Sequence, residues 1–183
     1  MKKVLVPLAD GFEDIEAVSI VDVLRRGGVE VVTASLADGP YVRSAHGISM
    51  TADALLTDVL ENEYDAIILP GGGEGTENLA KCEALLERLR RQKADGGLVC
   101  AICAAPTVLE KAEVIEDEAV TCYPSCASLM GRRVQKVPVV ADGQIITGQG
   151  PGSSALFALV ILSNLVDERT AHGIANGMLV ESF

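Results

Sequence analysis

The sequence has no tryptophan, and aromatic residues make up only 3% of its 183 residues. Hydrophobic residues nevertheless account for 49% of the chain, so its core must be built mainly from aliphatic side chains. A chain of this length is long enough for one well-packed domain and short for two. We therefore expect a single domain over residues 1–183.

Positive charge is also scarce, since 15 lysines and arginines stand against 26 aspartates and glutamates, a formal net charge of −11. This balance disfavours nucleic acid and anionic membranes as partners. Long apolar runs are missing too: the late run over residues 155–162 is far too short to span a bilayer. The first apolar stretch ends at Asp10, and the five cysteines are an odd number, so we expect a cytoplasmic protein.

Histidine is nearly absent, because the chain contains only His46 and His172. Neither adjoins a candidate nucleophile in the sequence, so a Cys–His dyad would need one of them to arrive from a distant segment. This scarcity disfavours a papain-like protease.

Short apolar segments alternate with amphipathic ones, which predicts parallel strands joined by helices in an α/β sandwich. We expect short strands over residues 3–8, 29–34, 66–69 and 98–103, the last of them central, and helices over residues 13–26, 82–93, 106–111, 153–166 and 168–179. Hairpins are expected within residues 38–58, at the sheet edge or folded over it, and over residues 134–147. Weaker signals indicate a strand over residues 119–123 and a short helix over residues 125–130.

The connection at Cys103 is the most informative stretch. The apolar run before it predicts a strand buried on both faces, and Pro106 suits the first turn of a helix. Cys103 then lies on the sharp turn between them, with its side chain displayed and helix N–H groups beside it. Because the positive end of a helix favours thiolate over thiol, we predict that Cys103 is the reactive residue.

Other predicted strand ends carry residues that suit a site. Ligands of open parallel sheets bind outside the carboxyl ends of the strands, where residues 9–11, 71–73 and 103–104 are expected to meet. The glycines at 71–73 form either a simple tight turn or a loop that brings backbone N–H groups to an oxyanion. Glu13 and Glu16 share a helix face, and both are solvated carboxylates unless Glu16 faces an apolar pocket beside Cys103.

The remaining cysteines offer an alternative. Cys100 and Cys103, followed by Cys122 and Cys126, resemble the spacing of a structural zinc site. Against this, residues three apart on a strand point to opposite faces, and Cys100 stands in an apolar run. We predict that Cys100 is a buried small hydrophobe and that no metal is bound, although a metal at Cys122 and Cys126 stays open.

Several motifs together are similar to the ThiJ/PfpI superfamily, a class I glutamine amidotransferase-like group. The resemblance is strongest to the branch that contains the Parkinsonism-associated deglycase, and it spans nearly the whole chain. The motifs are residues 11–18 (GFEDIEAV), 22–28 (DVLRRGG), 69–72 (LPGG), 101–106 (AICAAP) and 150–152 (GPG).

The resemblance implies a flavodoxin-like three-layer sandwich with a mostly parallel central sheet and a small edge hairpin, and it implies a homodimer. It assigns Cys103 as an oxidisable nucleophile and Glu16 as its protonated hydrogen-bond partner. It also places the N–H groups of Gly72 and Ala104 at an oxyanion, with Gly71 beside them.

This chain departs from the family pattern at some positions. Ala104 stands where protease-like members have histidine, which disfavours peptidase activity. Tyr123 aligns with a histidine near the pocket of the deglycase branch, and His46 aligns with an arginine at the dimer-side rim. We therefore take Tyr123 and His46 as candidate substrate-binding residues.

Members of the family are described as glyoxalases, deglycases, peroxide-responsive sensors and chaperones. The resemblance implies cofactor-free lyase or hydrolase chemistry on methylglyoxal or its adducts, through a Cys103 thiolate. The alternative is a non-catalytic oxidative-stress sensor or chaperone in which Cys103 becomes a sulfinate.

Overall fold

The computed structural model describes residues 1–180, which form strands and helices in alternation. The strands are β1 (Lys3–Leu8), β2 (Glu30–Ser35), β3 (Tyr41–Arg43), β4 (Ser49–Thr51), β5 (Ala54–Leu55), β6 (Ala66–Leu69), β7 (Leu98–Ile102), β8 (Val139–Asp142) and β9 (Ile145–Gly148). The helices are α1 (Asp14–Arg26), α2 (Leu56–Val59), α3 (Gly73–Lys81), α4 (Glu83–Ala94), α5 (Pro106–Lys111), α6 (Ser154–Leu165) and α7 (Glu168–Gly177). Short 3₁₀ helices cover Pro124–Leu129 and Pro151–Ser153.

The main sheet has seven strands in the order β5-β2-β1-β6-β7-β9-β8. All neighbouring strands run parallel except β8, which pairs antiparallel with β9. The strands connected by helices are buried on both faces, as expected for a parallel sheet that is covered on both sides.

Alternation along the strands divides the core into two layers of side chains. In β7, for example, Cys100 and Ile102 pack on the side of α1, α6 and α7, whereas Val99 and Ala101 pack on the side of α3, α4 and α5. Phe157 on α6 is the largest fully buried side chain of the first layer. The predicted flavodoxin-like sandwich with a mostly parallel sheet is confirmed.

The hairpin expected within residues 38–58 is present as β3 and β4, a separate two-stranded antiparallel sheet. A parallel bridge between Phe12 and Ser44 ties it to the loop that precedes α1. The same segment also supplies β5, which extends the edge of the main sheet beside β2. The hairpin thus contacts the segment before α1, and β5, which follows it in the chain, forms one edge of the main sheet.

Three details of the sequence prediction were wrong. The central strand of the seven is β6, and β7 lies one place further along. No strand covers residues 119–123, because Thr121 bonds instead to the Thr147 hydroxyl and, through its own hydroxyl, to the Gln135 carbonyl. Helix α3 was missed, because its glycines at 73 and 75 have low helix propensity.

Within residues 1–180, no helix is both long enough and apolar enough to cross a bilayer.

Candidate active site

The backbone of Cys103 is held in a left-handed conformation, with φ of 64°. Such a conformation is costly for a residue with a side chain and persists only where its surroundings enforce it. The Cys103 N–H donates to the Gly148 carbonyl at 3.0 Å, and its carbonyl accepts from the Tyr123 N–H at 2.8 Å. The predicted sharp turn between β7 and α5 is therefore present and is fixed from both sides.

Two glycines after β6 bring the backbone close to Cys103. A Cβ at Gly71 would stand 2.7 Å from the Cβ of Cys103 and 2.7 Å from Oε2 of Glu16. Gly72 has a φ of 94°, and a Cβ there would lie 2.2 Å from the Gly11 carbonyl oxygen. The three strand ends expected to meet do so, and only glycine fits where they touch.

The sulfur of Cys103 receives hydrogen bonds from the backbone N–H groups of Gly72 and Ala104, which lower the pKa of the thiol. These are the two donors that the family resemblance assigned to an oxyanion. The arrangement therefore offers partial positive charge at the position where negative charge on or beside the sulfur would develop.

Glu16 is completely buried next to this turn. Its Oε2 atom accepts a hydrogen bond from the Gly71 N–H at 2.7 Å, whereas its Oε1 atom is buried without a hydrogen-bond partner among the described residues. Burial raises the pKa of Glu16 to about 7, against the lowering effects of the Gly71 N–H and the Cys103 thiol. The carboxyl therefore changes from its neutral to its charged form around neutral pH.

Glu13 orients Glu16 rather than facing solvent. As the N-cap of α1 it accepts a hydrogen bond from the Glu16 N–H at 2.8 Å, and its own N–H donates to the Gly71 carbonyl at 3.0 Å. Glu13 is also largely buried, so a solvated helix-start carboxylate is the wrong description for both glutamates. The cap ties the first turn of α1 to the glycine loop.

Cys103 is only 9% exposed, so its side chain is not displayed as the sequence suggested. Burial and the negative charge of Glu16 raise the pKa of Cys103 to about 12, and the two N–H donors offset only part of this rise. Desolvation therefore outweighs the lowering of the thiol pKa that the neighbouring helix end was expected to give. The repulsion from Glu16 exists only while that carboxyl is ionised.

Cys100 is fully buried inside β7, as predicted, and burial raises the pKa of its thiol far above the usual range. The four cysteines at 100, 103, 122 and 126 do not come together as a zinc site. Among residues 1–180, the only three potential ligands from His, Cys, Asp and Glu side chains that lie close enough to hold an ion are Glu13, Asp14 and His46.

His46 lies in the turn between β3 and β4, and its ring is next to Glu13 and Asp14. Its Nδ1 atom bonds to Oδ2 of Asp14 at 2.7 Å, and the Ser44 hydroxyl donates to the other oxygen of Asp14. The bond and charge of Asp14 raise the pKa of His46, and the charge of Glu13 adds to this rise. The ring is well exposed, and its role in substrate binding stays a prediction.

Tyr123 is 45% exposed, and its backbone N–H donates to the Cys103 carbonyl. Its ring lies against Gly150, where a Cβ would stand 3.2 Å from Tyr123 Cδ2. The ring also lines a cavity of about 580 Å³, which the sequence analysis missed. The prolines at 124, 138 and 151 in its wall were the available signal.

A model of the DJ-1/PfpI family matches residues 2–164. The chain belongs to the DJ-1/PfpI family. The resemblance to the ThiJ/PfpI superfamily is thereby confirmed.

Individual relatives in the DJ-1/PfpI family agree with this assignment. The glutathione-independent glyoxalase DJR-1.2 of Caenorhabditis elegans is 40% identical over 165 residues, 88% of this chain and 87% of that protein. The DJ-1 homolog B of Arabidopsis thaliana is 37% identical over 98% of this chain, but the chain spans only 42% of that longer protein. The oxidized DJ-1 of Toxoplasma gondii superposes with a TM-score of 0.95 at 38% identity, over 99% of this chain and 100% of that one.

Proposed function

We propose that this chain is a cofactor-free cysteine enzyme that converts small 2-oxoaldehydes such as methylglyoxal, or their adducts, with Cys103 as the nucleophile. The observation that carries the proposal is the convergence of the Cys103 sulfur, two backbone N–H donors and the buried Glu16 carboxyl. The name of the Caenorhabditis elegans relative, a glutathione-independent glyoxalase, supports it. The Cys103 thiol would take the place of the glutathione thiol in such a reaction.

In the first half of the proposed reaction the Cys103 thiolate attacks the aldehyde carbon. A carbon–sulfur bond forms, and the electron pair of the C=O bond moves to oxygen, where the Gly72 and Ala104 N–H groups bind the oxyanion. Glu16, in its acid form, gives this oxygen a proton and becomes a carboxylate. The product is a thiohemiacetal.

In the second half the Glu16 carboxylate removes the hydrogen from the former aldehyde carbon as a proton. The proton is returned to the neighbouring carbon, and the hydroxyl proton of the thiohemiacetal passes to the ketone oxygen, so that the ketone becomes an alcohol and the thiohemiacetal becomes a thioester. Water then hydrolyses the thioester, which releases a 2-hydroxy acid and regenerates the thiol. The balance is one 2-oxoaldehyde plus one water, and no external oxidant or reductant is needed.

The reactive form requires that Glu16 and Cys103 share one proton. With Glu16 ionised the sulfur keeps its proton, because burial and the nearby charge raise the pKa of Cys103. Transfer of that proton to Glu16 removes the repulsion and leaves a carboxyl O–H beside the thiolate. Because burial raises the pKa of Glu16 to about 7, Glu16 accepts this proton more readily than an ordinary carboxylate would.

A second candidate function uses the same residues. In a non-catalytic sensor, peroxide would oxidise Cys103 to a sulfinate, whose oxygens the same N–H groups and the Glu16 carboxyl would stabilise. The observation in favour is that the similar Toxoplasma gondii DJ-1 structure is described as oxidized. Homodimerisation, a cytoplasmic location and a single domain over residues 1–183 stay predictions.

An enzyme turns over many substrate molecules per chain, whereas a sensor reacts once. The deciding experiment therefore counts the molecules of product formed per chain. Purified protein without glutathione is given excess methylglyoxal, and lactate is measured against time. We expect many lactates per chain. A yield that stops at one equivalent or less, together with stoichiometric sulfinate formation at Cys103 under peroxide, would contradict the enzyme and favour the sensor.

A further inference from the structure

Two cysteines that the reaction outlined above does not use lie on either side of Tyr123. Cys122 directly precedes this tyrosine, and Cys126 lies in the 3₁₀ helix Pro124–Leu129 that follows it. Both side chains pack against the same apolar layer, on the side of the sheet that α3, α4 and α5 cover. Neither cysteine forms a disulfide in this structure.

The backbone turn at Tyr123 brings the two cysteines together. The Tyr123 carbonyl oxygen accepts a hydrogen bond from the Cys126 N–H at 2.8 Å and another from the Cys122 thiol at 3.4 Å. Burial raises the pKa of the Cys122 thiol to about 11, and the charge of Cys126 adds to this rise. Charges shift a pKa in this way when they lie within about 6 Å. The two thiols are therefore neighbours around one turn.

The two thiols differ in their access to solvent. Cys122 is only 1% exposed, whereas Cys126 is partly exposed. Susceptibility of a cysteine to oxidation follows its exposure and its thiolate character. Peroxide in solution therefore meets the sulfur of Cys126 before that of Cys122.

A metal is the other partner that two neighbouring thiols could share. Zinc sites in proteins use at least three protein ligands. Within residues 1–180, the one group of three metal-binding side chains that lie close together contains neither Cys122 nor Cys126. A pair of thiols without a third ligand favours a bond between the two sulfur atoms over a structural zinc.

We propose that Cys122 and Cys126 form a modification site that peroxide converts into a reversible disulfide, with Cys126 oxidised first and Cys122 closing the bond. The inference does not depend on the proposed function, because neither thiol takes part in that reaction. It also differs from the sensor considered above, in which the oxidised residue is Cys103.

The oxidation has two steps, and hydrogen peroxide is the oxidant. The Cys126 thiolate attacks one oxygen of peroxide, so that an S–O bond forms, the O–O bond breaks and hydroxide leaves. The Cys122 sulfur then attacks the sulfur of the Cys126 sulfenic acid, so that the S–S bond forms and the S–O bond breaks. The hydroxide ions take up the two thiol protons. One peroxide and two thiols thus give one disulfide and two waters.

The disulfide would span the residue that anchors the nucleophile. Tyr123 lies between the two cysteines, and its N–H donates to the Cys103 carbonyl at 2.8 Å. Closing the ring over residues 122–126 would remove the thiol donor from the Tyr123 carbonyl. The site thus records oxidation next to Cys103 without consuming the Cys103 thiol.

Peptide mass spectrometry tests the bond directly. Reduced protein is treated with a small molar excess of hydrogen peroxide, and the remaining thiols are blocked with N-ethylmaleimide under denaturing conditions. Trypsin places Cys122 and Cys126 on residues 112–132, and Cys100 and Cys103 on residues 94–111. We expect the first peptide to become two hydrogens lighter and to take up no maleimide, while the second still takes up two.

Dithiothreitol should restore both thiols of residues 112–132. Three outcomes would overturn the proposal: both thiols stay free while Cys103 is oxidised, Cys126 passes to a sulfinate without a disulfide, or the bond links two chains. Because the wild-type protein gives this answer, it does not require that any variant folds.

Single variants test the order of the two steps. In Cys122→Ser, Cys126 should stop at the sulfenic acid, which dimedone traps; in Cys126→Ser, the buried Cys122 should be oxidised at least about tenfold more slowly. Equal rates would overturn the assigned order. Cys82→Ser removes the other partly exposed cysteine and is the matched control, in which disulfide formation should stay within about twofold of wild type.

The Cys103→Ser variant separates this site from the nucleophile. We expect its disulfide to form at the wild-type rate, because Cys126 meets peroxide directly. Loss of the disulfide in the folded variant would mean that oxidation passes through Cys103, and it would overturn the proposal. Turnover of methylglyoxal does not enter this measurement, so a failure of the proposed function is seen separately.

Discussion

The two ends of the parallel sheet have opposite characters. At the carboxyl ends of β6 and β7, a left-handed Cys103, a glycine loop with no room for side chains and a buried Glu16 with an unpartnered oxygen come together. At the amino ends of β1, β6 and β7, charged residues line a larger cavity of about 690 Å³.

The polar groups at the amino end mostly bind one another. Lys2 pairs with Asp65 at 2.8 Å, and the same carboxylate accepts the Lys3 N–H. Arg88 is only 5% exposed, and it donates to the carbonyls of Leu60 and Asn62, although its Nη1 atom has no partner among the described residues. The two ends thus differ in kind: the larger cavity is lined by charges that pair with one another, whereas the proposed nucleophile lies beside a buried acid with an unpartnered oxygen.

The largest effect should come from the nucleophile itself. Cys103→Ser is expected to lower lactate formation from methylglyoxal by at least about 10³-fold, because a serine hydroxyl is far harder to deprotonate than a thiol. Cys100→Ala removes another buried thiol of the same segment and should leave turnover within about twofold. Equal losses in both variants would show that the effect comes from packing.

Loss of the proton relay should be nearly as severe. Glu16→Gln keeps the shape of the side chain but cannot transfer a proton, so we expect turnover to fall about 10³-fold. In the wild type, iodoacetamide labelling of Cys103, resolved by peptide mass spectrometry, should rise near pH 7, where the pair loses its first proton. This rise should vanish in Glu16→Gln, and its persistence would remove Glu16 from the mechanism.

The same substitution should raise stability above neutral pH. Because burial raises the pKa of Glu16 from about 4.5 to about 7, its contribution to folding is complete at low pH and is lost as the pH rises through 7. The free energy of unfolding of Glu16→Gln relative to wild type should grow from near zero at pH 4 to about 3 kcal/mol at pH 8. Urea titrations at both pH values measure it, and a pH-independent difference would contradict the buried acid.

At the amino ends of the strands, substitution of Arg88 should lower the free energy of unfolding without changing turnover. Arg88→Met is expected to lower the free energy of unfolding by about 2 kcal/mol, because it leaves two carbonyls without their buried donor. Turnover per folded chain should not change. A loss of turnover in the folded variant would mean that the two ends of the sheet are coupled.

The smallest effect is expected for the surface ion pair at the same end. Lys2→Ala removes the bond to Asp65, but both side chains are partly exposed, so the loss should stay below about 0.5 kcal/mol. Urea unfolding at low and high salt measures it. A loss above 1 kcal/mol would show that the amino end is more rigid than its exposure implies.

Much of this arrangement could be predicted from local sequence. The apolar runs of β1, β6 and β7 and the bounds of α1 and α6 follow from hydrophobic pattern and glycine signals, and Cys103 follows from a strand that meets Pro106. Helix α3 could not be found, because packing against the sheet overrides the low helix propensity of its glycines.

The electrostatics of the site were beyond local reasoning. The raised pKa of Cys103 depends on burial by segments far away in the sequence and on Glu16, which lies on α1. The cavity beside Tyr123 likewise joins residues 123–125 with residues 149–153, which are distant in the sequence. Such features arise only when the strand order is known.

The bond between Cys103 and Gly148 has a consequence for how the protein is made. Strand β9 joins the outside of β7 and is the last parallel strand of the sheet to leave the ribosome. Until it docks, the Cys103 N–H has no carbonyl to bind, and the turn has lost one of its two anchors. The turn that carries the thiol therefore gains its second anchor only when synthesis of the sheet is complete.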